Sequence, residues 1–224
     1  MSLHVFDLEI EAVVFDLDGV IIDSEEVWEE VRRGYVAEYG REFLPDTQSR
    51  MMGMSTQEWS RHLAEDVGVG LPPERVADEI LARMAARYHE DLPVIPGAVD
   101  AVRRIAASYP VGLASSSARV LIDRVLAESG LDQVFRVVLS TEEVPRGKPA
   151  PDVYLTAAKR LGLDPAVCAA VEDSSNGLRA AAAAKMKVIC VPHGVYPPAD
   201  DALAASSLVI PSLAELTDQA LANL

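Results

Sequence analysis

Along most of the chain, short apolar runs alternate with longer segments in which apolar residues recur every three or four positions. The short runs are typical of strands buried on both faces, and the longer segments are typical of amphipathic helices. The predicted strands are 12–16, 111–114, 136–139, 169–171, 188–191 and 208–210, and the predicted helices are 98–108, 118–129, 151–161, 175–185 and 213–222. This alternation predicts an α/β fold in which helices cover a parallel sheet.

A long segment after the first strand interrupts the alternation and shows no convincing strand pattern. A helix is predicted to begin there at Asp23 or Ser24, and Ser55 with Glu58 forms a capping-box pattern ahead of another. An all-helical insert directly after a core strand is expected to cover the end of that strand. The predicted domains are a core of residues 1–23 and 93–224 and a helical cap of residues 24–92.

Composition and charge limit the kinds of binding partner that we expect for this protein. The chain has 224 residues and a net charge of −15, which argues against nucleic acid or an anionic membrane as a partner. No stretch approaches the roughly 20 apolar residues of a membrane span. Cys168 and Cys190 lie in apolar runs, so we expect buried thiols in a protein of the reducing cytoplasm. A monomer and a small homo-oligomer are both compatible with the sequence.

The first strand ends in two aspartates, Asp16 and Asp18, followed by Gly19. Alternate residues of a strand point the same way, so the two carboxylates are expected to project together, roughly 6–7 Å apart along the chain. Burying them is costly unless a cation compensates their charge. Taken alone, the pattern is equally typical of an acidic turn.

Three later strands also end in polar residues, and parallel α/β sheets bind ligands at the carboxyl ends of their strands. Ser115, Ser116 and Ser117 lie at a helix entrance, where serines also serve simply as caps. Lys148 lies in a loop held by glycine and prolines, and Glu172 and Asp173 follow another strand. These two acids and the aspartates of the first strand are hard oxygen ligands of the kind that Mg²⁺ prefers.

This order of two aspartates, a serine, a lysine and a Glu-Asp pair, each after its own strand, resembles the four motifs of the haloacid dehalogenase superfamily. The resemblance covers nearly the whole chain and implies a Rossmann-like parallel sheet with a mobile helical cap. The insert after the first motif resembles the cap of the branch that contains β-phosphoglucomutase and small sugar-phosphate phosphatases. The resemblance therefore implies a small phosphate ester as substrate and Mg²⁺ as cofactor.

The resemblance also implies a role for each matching residue. The implied roles are nucleophile for Asp16; general acid and base for Asp18; phosphate binding for Ser115, Ser116 and Lys148; and Mg²⁺ binding for Asp16, the Asp18 backbone carbonyl, Asp173 and, directly or indirectly, Glu172. Charge arguments agree, because an anionic nucleophile that attacks an anionic phosphate needs the neutralisation that a metal and Lys148 would supply.

At some positions the chain differs from particular branches of the superfamily, and these differences indicate which reaction it catalyses. Dehalogenases lack the residue matching Asp18, which favours phosphoryl transfer. All four lysines of the chain lie at 148 or beyond, so the cap lacks the lysine of phosphonoacetaldehyde hydrolases and of β-phosphoglucomutases. Trp28 and Thr56 stand where the mutases carry histidine and arginine. We therefore expect a phosphatase of sugar or polyol phosphates, with a β-phosphoglucomutase-type mutase and a non-catalytic scaffold as alternatives.

Large apolar side chains are concentrated in the predicted cap. They are Trp28, Met51, Met52, Met54 and Trp59. They form either a lid face against which a sugar packs or the internal core of the cap. Trp28 is predicted to contact substrate, because it lies one helical turn beyond the link between core and cap.

Overall fold

A parallel sheet lies at the centre of the computed structural model, which describes residues 9–51, 54–194 and 197–224. Its strands are β1 (Ala12–Phe15), β2 (Val111–Ser115), β3 (Val137–Ser140), β4 (Cys168–Glu172), β5 (Lys187–Cys190) and β6 (Leu208–Val209). The six strands lie in the order β3-β2-β1-β4-β5-β6, and every pair is parallel. The predicted α/β, Rossmann-like fold is confirmed. Because β1 lies between β2 and β4, its end is the switch point at which such sheets bind ligands.

Helices cover both faces of this sheet, and a further group of helices lies beyond its ends. The α-helices of the described residues are α1 (Glu25–Glu38), α2 (Thr47–Met51), α3 (Thr56–Arg61), α4 (Pro73–Glu90), α5 (Ala98–Ser108), α6 (Arg119–Ser129), α7 (Asp152–Leu161), α8 (Ser175–Ala183), α9 (Asp200–Leu203) and α10 (Asp218–Ala222). Val13 and Phe15 face one apolar cluster, while Ala12 and Val14 face the other. The apolar run of β1 is therefore continuous because both of its faces are buried.

The first four helices form the layer above the ends of β1 and β2. The predicted capping box is present at α3, where Ser55 accepts from the Glu58 amide and the Glu58 side chain accepts from the Ser55 amide. Ser24 occupies the cap position of α1 but makes no side-chain cap bond there. Its hydroxyl donates to Asp18 instead, so the residue serves the site rather than the helix.

The two segments that link these helices to the sheet run side by side. The Asp23 amide donates to the Pro93 carbonyl at 2.8 Å, and the Ile95 amide donates to the Ile21 carbonyl at 2.9 Å. A further contact joins the two layers where Thr56 Oγ1 donates to Glu142 Oε1 at 3.2 Å. The helical layer is thus attached by a paired, two-stranded connection.

The predicted C-terminal helix, 213–222, is wrong as a single element. A turn of 3₁₀ helix at Leu213–Glu215 is separated from α10 by extended backbone. The break occurs at Thr217, whose hydroxyl accepts from the Ala220 amide and starts a new helix. The apolar periodicity predicts one continuous helix, but the capping hydrogen bond of the threonine favours a new helix start at this position.

Two smaller expectations concern the cysteines and membrane spans. Cys168 and Cys190 are buried and carry free thiols, as predicted. In the described part of the chain, none of the helices has both the length and the apolar character needed to cross a membrane.

Candidate active site

The ends of β1, β2 and β4 open into a cavity of about 510 Å³. The core wall of the cavity is formed by Asp16, Asp18, Ser116, Ser117, Lys148 and Asp173. The cap wall is formed by Glu25, Trp28, Arg32, Met54, Thr56 and Trp59. Most predicted site residues therefore share one cavity, whereas Ser115 and Glu172 lie behind the core wall.

Lys148 is buried, and its ammonium group contacts two carboxylates. Nζ donates to Asp16 Oδ1 at 2.8 Å, to Glu172 Oε1 at 2.6 Å and to the Ala114 carbonyl at 3.0 Å. Burial alone would lower the pKa of Lys148, but the two carboxylates raise it above its usual value. The core wall therefore holds a permanent, immobile positive charge beside Asp16.

Asp16 has one carboxylate oxygen available for chemistry. Oδ1 accepts from Lys148, and none of the residues in the described ranges donates to Oδ2. Burial, opposed by Lys148 and aided by the charges of Glu172 and Asp18, raises the pKa of Asp16 to about 8. The negative charge needed for nucleophilic attack is therefore costly in the protein alone.

The same crowding of carboxylates fits a divalent cation. Ligand oxygens of Asp16, Glu172 and Asp173 lie within 4.8 Å of one another. Burial, followed by the charges of Glu172 and Asp16, raises the pKa of Asp173 well above its usual value. Lys148 alone leaves this group under-compensated, and hard carboxylate oxygens are the donors that Mg²⁺ selects.

Glu172 has little capacity left for a metal. Oε1 accepts from Lys148 at 2.6 Å and from the Tyr154 hydroxyl at 2.7 Å, and Oε2 accepts from the Asp173 and Ser174 amides and the Ser174 hydroxyl. The carboxylate is also fully buried. Its contacts orient Lys148 from behind, whereas Asp173 faces the cavity.

Two glycines make room for these acids. A Cβ on Gly177 would lie 1.9 Å from the Glu172 carboxyl, and one on Gly19 would lie 1.9 Å from Asp173 Oδ2. Gly19 also has φ +77°, which side chains rarely adopt. Asp173 at the cavity and Glu172 behind it can take these positions only because both glycines lack a side chain.

Replacing Gly177 by alanine should lower the free energy of unfolding by about 1–3 kcal/mol, because overpacking displaces Glu172. The matched control is Gly34→Ala in α1, where a Cβ meets nothing within 4 Å. That change should raise stability by roughly 0.5–1 kcal/mol through helix propensity. Urea unfolding of both variants measures the difference, and shifts of the same sign would contradict it.

Asp18 is held by hydroxyl groups from two distant segments. Ser24 Oγ donates to Oδ1 at 2.5 Å, and Ser117 Oγ donates to Oδ2 at 2.7 Å. Ser115, predicted to bind phosphate, has a fully buried hydroxyl that accepts from the Ser117 amide at 2.9 Å. Ser117 belongs to the serine cluster expected at this helix entrance, whereas Ser24 was expected only as a helix cap and its contact with Asp18 was not predicted.

The cap wall contains an aromatic pair with a cation stacked on it. The rings of Trp28 and Trp59 meet edge to face at 5.8 Å, and the Arg32 guanidinium lies 4.3 Å from the first ring centroid and 5.1 Å from the second. These two side chains pack on each other and also line the cavity, and their contact with a substrate stays a prediction. Met52, named among them, lies outside the described residues.

Arg32 was not predicted from the sequence. It follows Trp28 by four positions, the spacing that places two side chains on one face of a helix. Two arginines stand side by side in this helix, however, and the pattern of a charged pair is typical of a solvent-facing surface. The i, i+4 relation to Trp28 was the available signal.

Comparison with known proteins places this geometry among hydrolases. Residues 10–185 match the family of haloacid dehalogenase-like hydrolases. Hexitol phosphatase B of Escherichia coli strain K12 is 36% identical over 217 residues, which cover 93% of this chain and 95% of the relative. Protein CbbY of Rhodobacter capsulatus is 31% identical over 229 residues, covering 97% and 100%. The crystal structure of CbbY from Rhodobacter sphaeroides in complex with phosphate aligns with a TM-score of 0.83 at 25% identity, covering 96% of this chain and all of that one (100%).

Proposed function

The chain belongs to the haloacid dehalogenase-like hydrolase family, and on that premise we propose that it is a Mg²⁺-dependent phosphatase of small sugar or polyol phosphates. The observation that carries the proposal is the convergence of Asp16, Lys148 and Asp173 on one end of a cavity in which Asp18 is held by three serine hydroxyls, of which the one from Ser115 is the most distant at 3.5 Å. Its relatives include a hexitol phosphatase, which supports this substrate class. The proposal starts from the fold, the family and the phosphoric monoester hydrolase activity, and it adds the metal, the mechanism and the substrate class.

In the first step, Asp16 Oδ2 attacks phosphorus and forms an aspartyl-phosphate while the bond from phosphorus to the ester oxygen breaks. Asp18 gives its proton to the departing alcohol oxygen. Lys148, fixed between two carboxylates, and the Ser116 segment face the phosphoryl oxygens. Ser115 supports that segment through the Ser117 amide.

In the second step, Asp18 takes a proton from water, whose oxygen attacks phosphorus and breaks the bond to Asp16. Inorganic phosphate is released, Asp16 is again a carboxylate, and Asp18 is again protonated as it was before the first step. A bound Mg²⁺ would be held by Asp16, Asp173 and the Asp18 carbonyl and would neutralise charge on the transferring group. Glu172, with both oxygens already hydrogen-bonded, is proposed to position Lys148.

The proposal includes the division of the chain into a core of residues 1–23 and 93–224 and a cap of residues 24–92. The paired linkers would let the cap close over the cavity and limit access of water to the reacting phosphate. Trp28 contributes to the wall that closes over the substrate. The acidic surface and the buried free thiols support a cytoplasmic enzyme that has no nucleic-acid or membrane partner.

Activity should require Mg²⁺ and disappear in EDTA, because the acidic cluster is under-compensated without a cation. Ca²⁺ should restore little activity, since it accepts looser geometry and more ligands than the octahedral Mg²⁺. Phosphate release from p-nitrophenyl phosphate, measured with each metal after chelation, provides the test. Full activity in chelator would show that the cluster of Asp16 and Asp173 is not a catalytic metal site.

A mutase is the second candidate. The cap has no lysine, but Arg32 gives the cap wall a positive charge. The two reactions separate when β-glucose 1-phosphate is supplied with catalytic glucose 1,6-bisphosphate and products are followed by ³¹P NMR. We expect free phosphate or no turnover of this sugar. Glucose 6-phosphate that accumulates faster than free phosphate would replace the phosphatase by a mutase.

A further inference from the structure

Arg32 is a buried cation that no described carboxylate pairs with directly. The residue is 5% exposed, and no acidic oxygen of the described ranges lies within 4.0 Å of its guanidinium. Nη1 donates to Gln48 Oε1 at 3.2 Å, and Nε has no described partner. A guanidinium carries five N–H donors, so most of them are unused by the protein.

Stacking on the tryptophans does not use those donors. Arg32 Cζ lies 4.3 Å from the Trp28 ring centroid and 5.1 Å from that of Trp59, and a cation–π contact of this kind uses the charge of the group rather than its N–H donors. Nη1 donates to Gln48 and Nε is buried, so the donors of Nη2, which have no partner among the described residues, are the ones left for a ligand in the cavity. Because Arg32 lines the same cavity as Asp16, a substrate with its phosphate at Asp16 would extend toward it.

Arg32 is linked to the carboxylate of Glu25 through the side chain of Gln48. Gln48 Nε2 donates to Glu25 Oε2 at 2.9 Å, so one amide bridges the guanidinium and a carboxylate that also lines the cavity. Arg32, Gln48 and Glu25 together carry no net charge when both end groups are ionised. They offer donors and an acceptor side by side, which suits hydroxyl groups, since a hydroxyl both donates and accepts.

A second anionic group is disfavoured at this place. Among the described residues, the cavity is lined by the carboxylates of Asp16, Asp18, Asp173 and Glu25 and by three basic side chains, Lys148, Arg32 and His193. A remote phosphate or carboxylate would face Glu25 at close range in a site of low dielectric. Uncharged hydroxyls avoid this repulsion.

We propose that Arg32, with Gln48 and Glu25, forms the subsite that binds the uncharged, hydroxylated end of the substrate and makes the enzyme selective for polyol phosphates over phosphates with a second anionic group. This inference rests on the proposed phosphatase function and specifies its substrate class. Arg32 acts as a specificity-determining residue, remote from the reacting phosphorus.

The test compares Arg32→Met with Arg33→Met, its exposed neighbour in the same helix. Three phosphates are used: sorbitol 6-phosphate, 6-phosphogluconate, which replaces the terminal CH₂OH by a carboxylate, and p-nitrophenyl phosphate, which has no hydroxyls. For Arg32→Met, kcat/KM for sorbitol 6-phosphate should fall about 10- to 100-fold, mainly through KM, because hydrogen bonds to a charged group are lost. Turnover of p-nitrophenyl phosphate should stay within about threefold, and Arg33→Met should change neither.

Wild-type enzyme should also prefer sorbitol 6-phosphate to 6-phosphogluconate by at least about tenfold. If Arg32→Met does not fold, Arg32→Lys retains the charge without the planar fork and should show the same selective loss, though smaller. Equal losses on all substrates, no loss at all, or a preference for 6-phosphogluconate that depends on Arg32 would overturn the subsite.

The outcomes show whether the subsite proposal alone fails or whether the proposed phosphatase function fails with it. A wild-type enzyme that cleaves p-nitrophenyl phosphate but no polyol phosphate would refute the subsite and leave a phosphatase. A wild-type enzyme that cleaves none of these esters with Mg²⁺ present would refute both.

Discussion

Asp16→Asn should abolish turnover, with kcat reduced at least about 10³-fold, while the protein stays folded. An amide of nearly equal volume is a far poorer nucleophile and metal ligand than a carboxylate. Burial already raises the pKa of Asp16 to about 8, so the charged form costs folding free energy and its removal does not lower stability. Lys148 keeps a charged partner in Glu172.

The measurement is phosphate release from sorbitol 6-phosphate and p-nitrophenyl phosphate, with thermal unfolding recorded on the same samples. Asp132→Asn is the matched control, because Asp132 is exposed and does not line the cavity. Its activity should equal that of the wild type. If Asp16→Asn retained a tenth of wild-type activity in a preparation free of other phosphatases, the covalent mechanism would be refuted.

Asp18→Asn should have an effect that depends on the leaving group. For sorbitol 6-phosphate, whose alkoxide needs a proton, kcat/KM should fall about 10²- to 10⁴-fold. For p-nitrophenyl phosphate the loss should be much smaller, because nitrophenolate departs without protonation. The amide oxygen still accepts from one of the two hydroxyls, Ser24 or Ser117, and the NH₂ group donates to the oxygen of the other, so the side chain keeps both partners.

The value of kcat/KM is the appropriate quantity, since it reports the steps up to transfer of the phosphoryl group to Asp16. In a rapid-mixing experiment the variant should release a burst of nitrophenolate that matches the enzyme concentration, because Asp18 is also the base for hydrolysis of the intermediate. Equal losses on both substrates would exclude Asp18 as the acid of the first step.

Several features of this protein could be predicted from the sequence because they are local. Apolar runs located the strands to within one or two residues, and a parallel sheet brings polar residues after its strands to one edge. Asp16, Asp18, Lys148 and Asp173 were therefore predicted as a group, and the structure brings them to one cavity. The prediction of one helix over 213–222 was wrong, because Thr217 caps a new helix in the middle of the apolar pattern.

What the sequence by itself determined is the order of the elements, the edge of the sheet that carries the chemistry and the residue types that converge there. Only the tertiary structure decided which atoms meet, because those contacts join residues far apart in the chain. Lys148 and Asp16 are 132 positions apart, and Ser117 and Asp18 are 99 apart. Glu172 was thereby directed toward Lys148 and away from the cavity.

The cap wall depended on tertiary structure most of all. Arg32 and Arg33 are identical neighbours in the sequence, yet one is buried on two tryptophans and the other is exposed. Successive residues of a helix point about 100° apart, so the rotation of α1 against its neighbours decides which arginine enters the cavity. The spacing to Trp28 indicates which face Arg32 shares, but only the packing of α1 on α4 decides that this face meets the cavity.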